Sequence, residues 1–161
     1  MRHPEIATLL SSLEQAYEWR AWHGPNLRGS LRGLTARQAA WRPAPGRHNI
    51  WEVVLHAAYW KYVVRRRLLG EKRGSFAIAG SNWFARPASG RAKEWRADVA
   101  LLEREHHSVC RAVATLSPRT LHKRSMPNGF SLFDMILGVA FHDIYHAGQI
   151  QLLKRLQIAR G

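Results

Sequence analysis

SLFDMILGVAFHDIYHAGQIQLLKRLQIA, residues 131–159, is the stretch that decides the fold. Pro127, Asn128 and Gly129 make a turn ahead of it, and Ser131 stands three residues before Asp134. That pairing starts a helix, because hydroxyl and carboxylate each satisfy a backbone N–H that the first turn leaves without a partner. Leu132, Ile136, Val139, His142, His146, Gln149 or Ile150, and Leu153 then recur every three or four residues, tracing one helical face. Two histidines one turn apart therefore lie on a stripe that should be buried. Gly148 costs this helix about 1 kcal/mol relative to alanine, which predicts the close approach of a neighbouring helix.

Three further segments carry the same period. Residues 91–116 place Trp95, Val99, Leu102, His106, Val109, Val113 and Leu116 in the alternating three-four spacing of a bundle seam. Residues 49–69 open on Asn49 with Glu52 in capping-box position and stop before Gly70, a glycine suited to the residue after a helix. Their inner face reads Val53, His56, Trp60, Val63 or Val64, and Arg67. Residues 4–23 begin at Pro4 and run ahead of Gly24-Pro25 with Ile6, Leu9, Leu10, Leu13, Tyr17 and the stem of Arg20 facing inward. Thr35 caps a short helix, and the prolines and glycine of RPAPG end it. No stretch sustains the alternation of a strand, so the chain should be all-α and form a single domain over residues 1–161. The connection near residues 70–90 carries Phe76, Trp83 and Phe84, the makings of a lid or pocket wall over one end of the helices.

Composition narrows the chemistry. Cys110 is the only cysteine, which rules out an internal disulfide and a cysteine-cluster zinc site and points to a reducing compartment. The N-terminal residues lack an uninterrupted apolar run, and no run elsewhere would span a bilayer, so a cytoplasmic location is expected. The formal charge of +14 invites a polyanion. Yet most of the excess is arginine dispersed along the chain. Its densest cluster, Arg65, Arg66, Arg67, Lys72 and Arg73, sits where cations meet the negative end of a helix dipole. Nucleic acid is thus the weaker partner reading.

The histidines carry the stronger one. Nine of them give about 0.5 pairs at a spacing of four by composition alone, so the bare spacing decides nothing. Position decides more: three helices each aim a histidine inward, and buried imidazoles must be paired, hydrated or coordinated. Stacked one turn apart, His142 and His146 could grip one divalent ion, with His56 from another helix as third ligand and one position left open. His106 reads instead as a core histidine beside the pocket. His3, His23, His48, His107 and His122 read as solvated. Gln149 reaches the face of His146 and is suited to bond a ligand or a bound water, and Asp143 is a candidate partner for a ligating imidazole N–H. His142 to His146 also differs from the H-E-x-x-H of zinc peptidases only by aspartate for glutamate, a weaker alternative with Asp143 as base.

HNIWEVVLHAAYWK, followed much later by HDIYHAGQIQLLK and preceded by Leu-Thr and Trp-Arg-Pro-Ala-Pro-Gly, resembles the DinB superfamily over nearly the whole chain. The resemblance implies a four-helix bundle of up-down-down-up connectivity, with a divalent ion, often nickel or zinc, held by His56, His142 and His146. It implies a homodimer. It also implies a small-molecule substrate and a thiol-dependent transferase or isomerase that uses mycothiol or bacillithiol. In such a reaction the thiolate would take the open position and attack an electrophile held against Trp60, Trp83 or Phe84. The sequence departs from the family pattern at Ala147, before the Gly-Gln pair, and at Asp143. Two other readings stay open: a bundle that a metal merely stabilises, and a basic polyanion-binding module.

Overall fold

The computed structural model describes residues 3–72, 74–86, 91–124 and 129–158. Arg73, Pro127, Asn128 and Ala159 lie outside them. The described chain is all-helical: α1 Pro4–Tyr17, α2 Leu27–Ser30, α3 Ala36–Ala40, α4 Ile50–Leu68, α5 Ala92–Ala114, α6 Pro118–Leu121 and α7 Leu132–Ile158. Among the long helices, α4 packs on α5 and α7, and α1 packs on the same two.

Local capping chemistry sets most of the boundaries. Asn49 and Glu52 close a reciprocal capping box at α4, and Gly70 takes a φ of +68° after its end. Thr35 and Gln38 do the same at α3. At α7 the Asp134 backbone N–H donates to Ser131 Oγ at 3.1 Å, while the Ser131 N–H donates to Asp134 Oδ2 at 2.8 Å.

The expected first helix is too long. It ends at Tyr17, where the backbone N–H groups of Glu18 and Trp19 both turn onto the Glu14 carbonyl. Asn26 then draws the chain aside, its Nδ2 donating to the Trp19 carbonyl at 2.7 Å and its Oδ1 capping α2. Arg20 is consequently exposed rather than inward, and Trp22 is exposed as well.

One core cluster gathers around Trp51, Leu55 and Leu102, and another around Leu9, Leu13, Val109 and Ile136. Helix α4 is buried over a wider face than its expected stripe. Trp51 is fully enclosed, donating from Nε1 to Asp98 Oδ2 at 2.7 Å, and Arg86 forks onto the same carboxylate. Arg67, read as inward, is exposed, whereas Lys61 is wholly buried. Phe84 does not reach the pocket either: it sinks into the core against Tyr59 and Phe76. A Cβ at Gly148 would meet nothing within 4 Å, so no neighbouring helix explains that glycine.

Candidate metal centre

His56 comes from the middle of α4, and His142 and His146 from successive turns of α7, the helix packed against it. One nitrogen from each of the three lies within 4.8 Å of the other two. His142 Nε2 is 3.0 Å from both His56 Nε2 and His146 Nε2. Burial lowers all three pKa values, to about 3 for His142 and about 4 for His146, so near neutral pH the rings are uncharged and keep a lone pair.

Hydrogen bonds on the outer edges of the rings determine where those lone pairs point. His56 Nδ1–H donates to the Asn82 carbonyl at 2.9 Å, leaving Nε2 bare. Gln149 donates from its amide nitrogen to the Tyr145 hydroxyl, so its oxygen faces the His146 ring and accepts from Nδ1–H at 2.6 Å. His146 Nε2 is therefore bare too. His142 faces both lone pairs with Nε2, while its Nδ1 is buried without a partner among the described residues. If Nε2 carries the proton, it can satisfy only one of its two neighbours. If Nδ1 carries it, three lone pairs converge and a buried N–H is unmatched. A cation among the three Nε2 atoms removes the conflict. Tetrahedral nitrogen ligands of zinc stand about 3.4 Å apart, close to the separations here, so the donor set fits a divalent ion.

Aromatic rings hold the site from outside. Trp83 lies flat against His56, 3.9 Å between centroids and 8° between planes, and equally flat against His48 at 3.6 Å and 6°. His48 also bonds Glu52 Oε2 through Nδ1 at 2.9 Å. It thus lines the cavity wall while 48% of its side chain stays exposed, in keeping with the solvated residue that the sequence suggests. Trp60 turns its Nε1–H onto the Asn82 side-chain oxygen at 3.0 Å. Sequence reasoning missed Asn82, which orients His56 and Trp60 together from a left-handed backbone at φ +64°. The one signal for it was an asparagine beside Trp83 in a loop, since asparagine tolerates that conformation. A mostly apolar cavity of about 700 Å³ opens on the three histidines, bounded by Val53, Trp83, Leu152, Leu153 and Leu156.

Two expected members of the site lie elsewhere. Asp143 turns its carboxylate away from the histidines to bond Lys61 Nζ, both side chains fully buried. Burial pushes that carboxyl up, and the Lys61 ammonium pulls it back. A carboxylate so engaged is no partner for a ligating ring, and the peptidase-like reading loses its base. His106 belongs to the same buried polar cluster. Lys61 Nζ donates to its Nδ1 at 3.3 Å, its Nε2–H donates to Glu14 at 3.2 Å, and Tyr17 stacks on it.

Glu14, His106 and Cys110 also lie close enough together to suggest a cation site. The chemistry opposes it: Lys61 keeps the proton of His106 on Nε2, the atom that would have to bind, and burial pushes the Cys110 thiol up to about 12. Glu18, Glu103 and His107 form a third group, whose two carboxylates already pair with Arg28.

No curated protein and no solved structure matches this sequence. The family model of the DinB superfamily matches residues 20–150, and the chain belongs to that superfamily.

Proposed function

We propose that this protein is a metal-dependent enzyme in which His56, His142 and His146 hold one divalent ion, zinc or nickel, and which activates a thiol or water nucleophile against a small-molecule substrate. The observation that carries the reading is the convergence of three uncharged, buried imidazoles whose outer hydrogen bonds turn bare nitrogens toward one another. When bound, the ion supplies a Lewis acid that makes a thiolate or hydroxide available at neutral pH or polarises a carbonyl. The protein's own groups do the rest. Asn82 and Gln149 hold two of the rings in register, Trp83 fixes the plane of His56, and Val53, Leu152 and Leu153 give the space in front of them apolar walls. Cys110, buried and protonated, provides no nucleophile of its own, so a thiol must come from solution.

By this reading the chemistry is that of the thiol-dependent transferases and isomerases, with a low-molecular-weight thiol such as mycothiol or bacillithiol as cosubstrate. The chain would be one domain, a bundle of up-down-down-up connectivity, working in the cytoplasm. Among the described residues no helix is long and apolar enough to cross a membrane. Phe141, Tyr145, Leu152 and Leu156 leave an exposed apolar stripe along α7, which supports a homodimer. The polyanion reading has less support, because Arg28, Arg42, Arg65, Arg86 and Arg91 each pair with a carboxylate of the chain itself. The test is conjugation of an electrophile such as a bimane halide with either thiol, before and after chelation. Turnover that is lost on chelation and restored by the ion supports the proposal. A chelator that lowers the melting temperature of a protein with no turnover leaves a metal-stabilised bundle.

A further inference from the structure

Two cavities, not one, border the three histidines. Besides the first, a cavity of about 480 Å³ is bounded by Trp60, Val64, Phe130, Met135 and Val139, and His56 and His142 line both. Each is in the size range of sites that enclose small organic molecules. The second is apolar except for the two histidines, Asn82 and Arg67. The Asn82 side-chain oxygen is taken by Trp60, whereas the exposed Arg67 has no carboxylate partner among the described residues.

Gly138 lines this second cavity in the interior of α7, four residues before His142 and so on the same face one turn away. A glycine there weakens the helix. Its backbone is not left-handed, and a Cβ built on it would meet nothing within 4 Å, so neither a turn nor a close approach calls for it. What the missing side chain leaves is open space beside His142.

We propose that the second cavity is a separate ligand site for an organic anion with an apolar body, and that Gly138 keeps it open. The apolar walls take the body, Arg67 takes the charged group, and the far end of the molecule lies beside His56 and His142. Because the first cavity reaches the same two rings, two molecules can be held against one centre at once, the arrangement that a transfer between them needs. The inference rests on the metal reading only for the identity of that centre.

The probe is 1-anilinonaphthalene-8-sulfonate, titrated into the full chain with metal content measured on the same sample. The proposal expects Gly138→Leu to remove one bound equivalent without lowering the melting temperature or the metal content. Ala44→Trp, at the first cavity, should remove a different one, and the double variant both. Arg67→Gln should weaken the equivalent that Gly138→Leu removes by roughly tenfold, the effect of losing one charged hydrogen bond. Absence of binding, a single equivalent in the parent chain, or a full count in Gly138→Leu overturns the proposal. The expected pattern of equivalents in a chain that takes up no zinc or nickel on refolding would sink the metal reading and leave this one standing.

Discussion

Replacing Lys61 by methionine keeps the apolar stem of the side chain and deletes its ammonium. In the native chain that ammonium is wholly enclosed, bonded to the equally enclosed Asp143 and, at 3.3 Å, to His106 Nδ1. Removing one member of a buried ion pair costs about 3–5 kcal/mol, because the remaining charge has neither partner nor solvent. The stranded carboxylate has one escape, which is to take up a proton; at pH 7, from an ordinary value near 3.9, that costs about 4 kcal/mol and caps the loss. For a chain of 161 residues, 4 kcal/mol lowers the melting temperature by roughly 8–16 °C. Urea unfolding of Lys61→Met is the assay, with Lys61→Met/Asp143→Leu beside it. The double variant removes the stranded charge and should return to within about 2 kcal/mol of the parent, the residue being the donor that His106 still lacks. A single variant that loses less than about 1 kcal/mol, or a double variant no better than the single, would refute the view that this pair is dry.

Two other outcomes follow from the same contacts. Gln149→Leu deprives His146 Nδ1–H of its acceptor and should weaken metal affinity by about 10–100-fold, read by competition with a chromophoric chelator, while far-UV circular dichroism stays unchanged. The His106 pKa is lowered to about 2 by burial first and by Lys61 next, so between pH 6.5 and 2 the unfolded chain binds a proton there that the folded chain does not. Stability is lost as pH falls through that window, by about 1.4 kcal/mol per pH unit for this one group, and His106→Gln should flatten the slope by that amount between pH 6 and 5. Parallel slopes would show that His106 is charged in the folded chain.

Much of the fold was legible because its signals are local. Asn49 with Glu52, and Ser131 with Asp134, announce helix starts within four residues, and both capping boxes form as read. His142 and His146 share a face by helical geometry alone, and His56 could be added because it interrupts an apolar stripe on another helix. What escaped the reading depends on partners far away in sequence. Lysine is ordinarily a surface residue, and nothing near Lys61 announces that Asp143, 82 residues later, will meet it in the core. The end of α1 is set by Asn26 reaching back to Trp19, and nothing near the exposed His48 announces that Trp83, 35 residues later, stacks on it. Asp143 is a candidate partner for the histidines by adjacency in sequence, but on a helix the next residue points about 100° away, here toward α4 and Lys61.

Elemental analysis of the purified chain, alongside His56→Ala, bears most directly on whether the three imidazoles share an ion. The geometry predicts about one divalent ion per chain in the parent and less than about a tenth of that in the variant, because only two of three protein ligands remain. Full metal content in His56→Ala, or none in the parent after refolding with zinc or nickel, would contradict it.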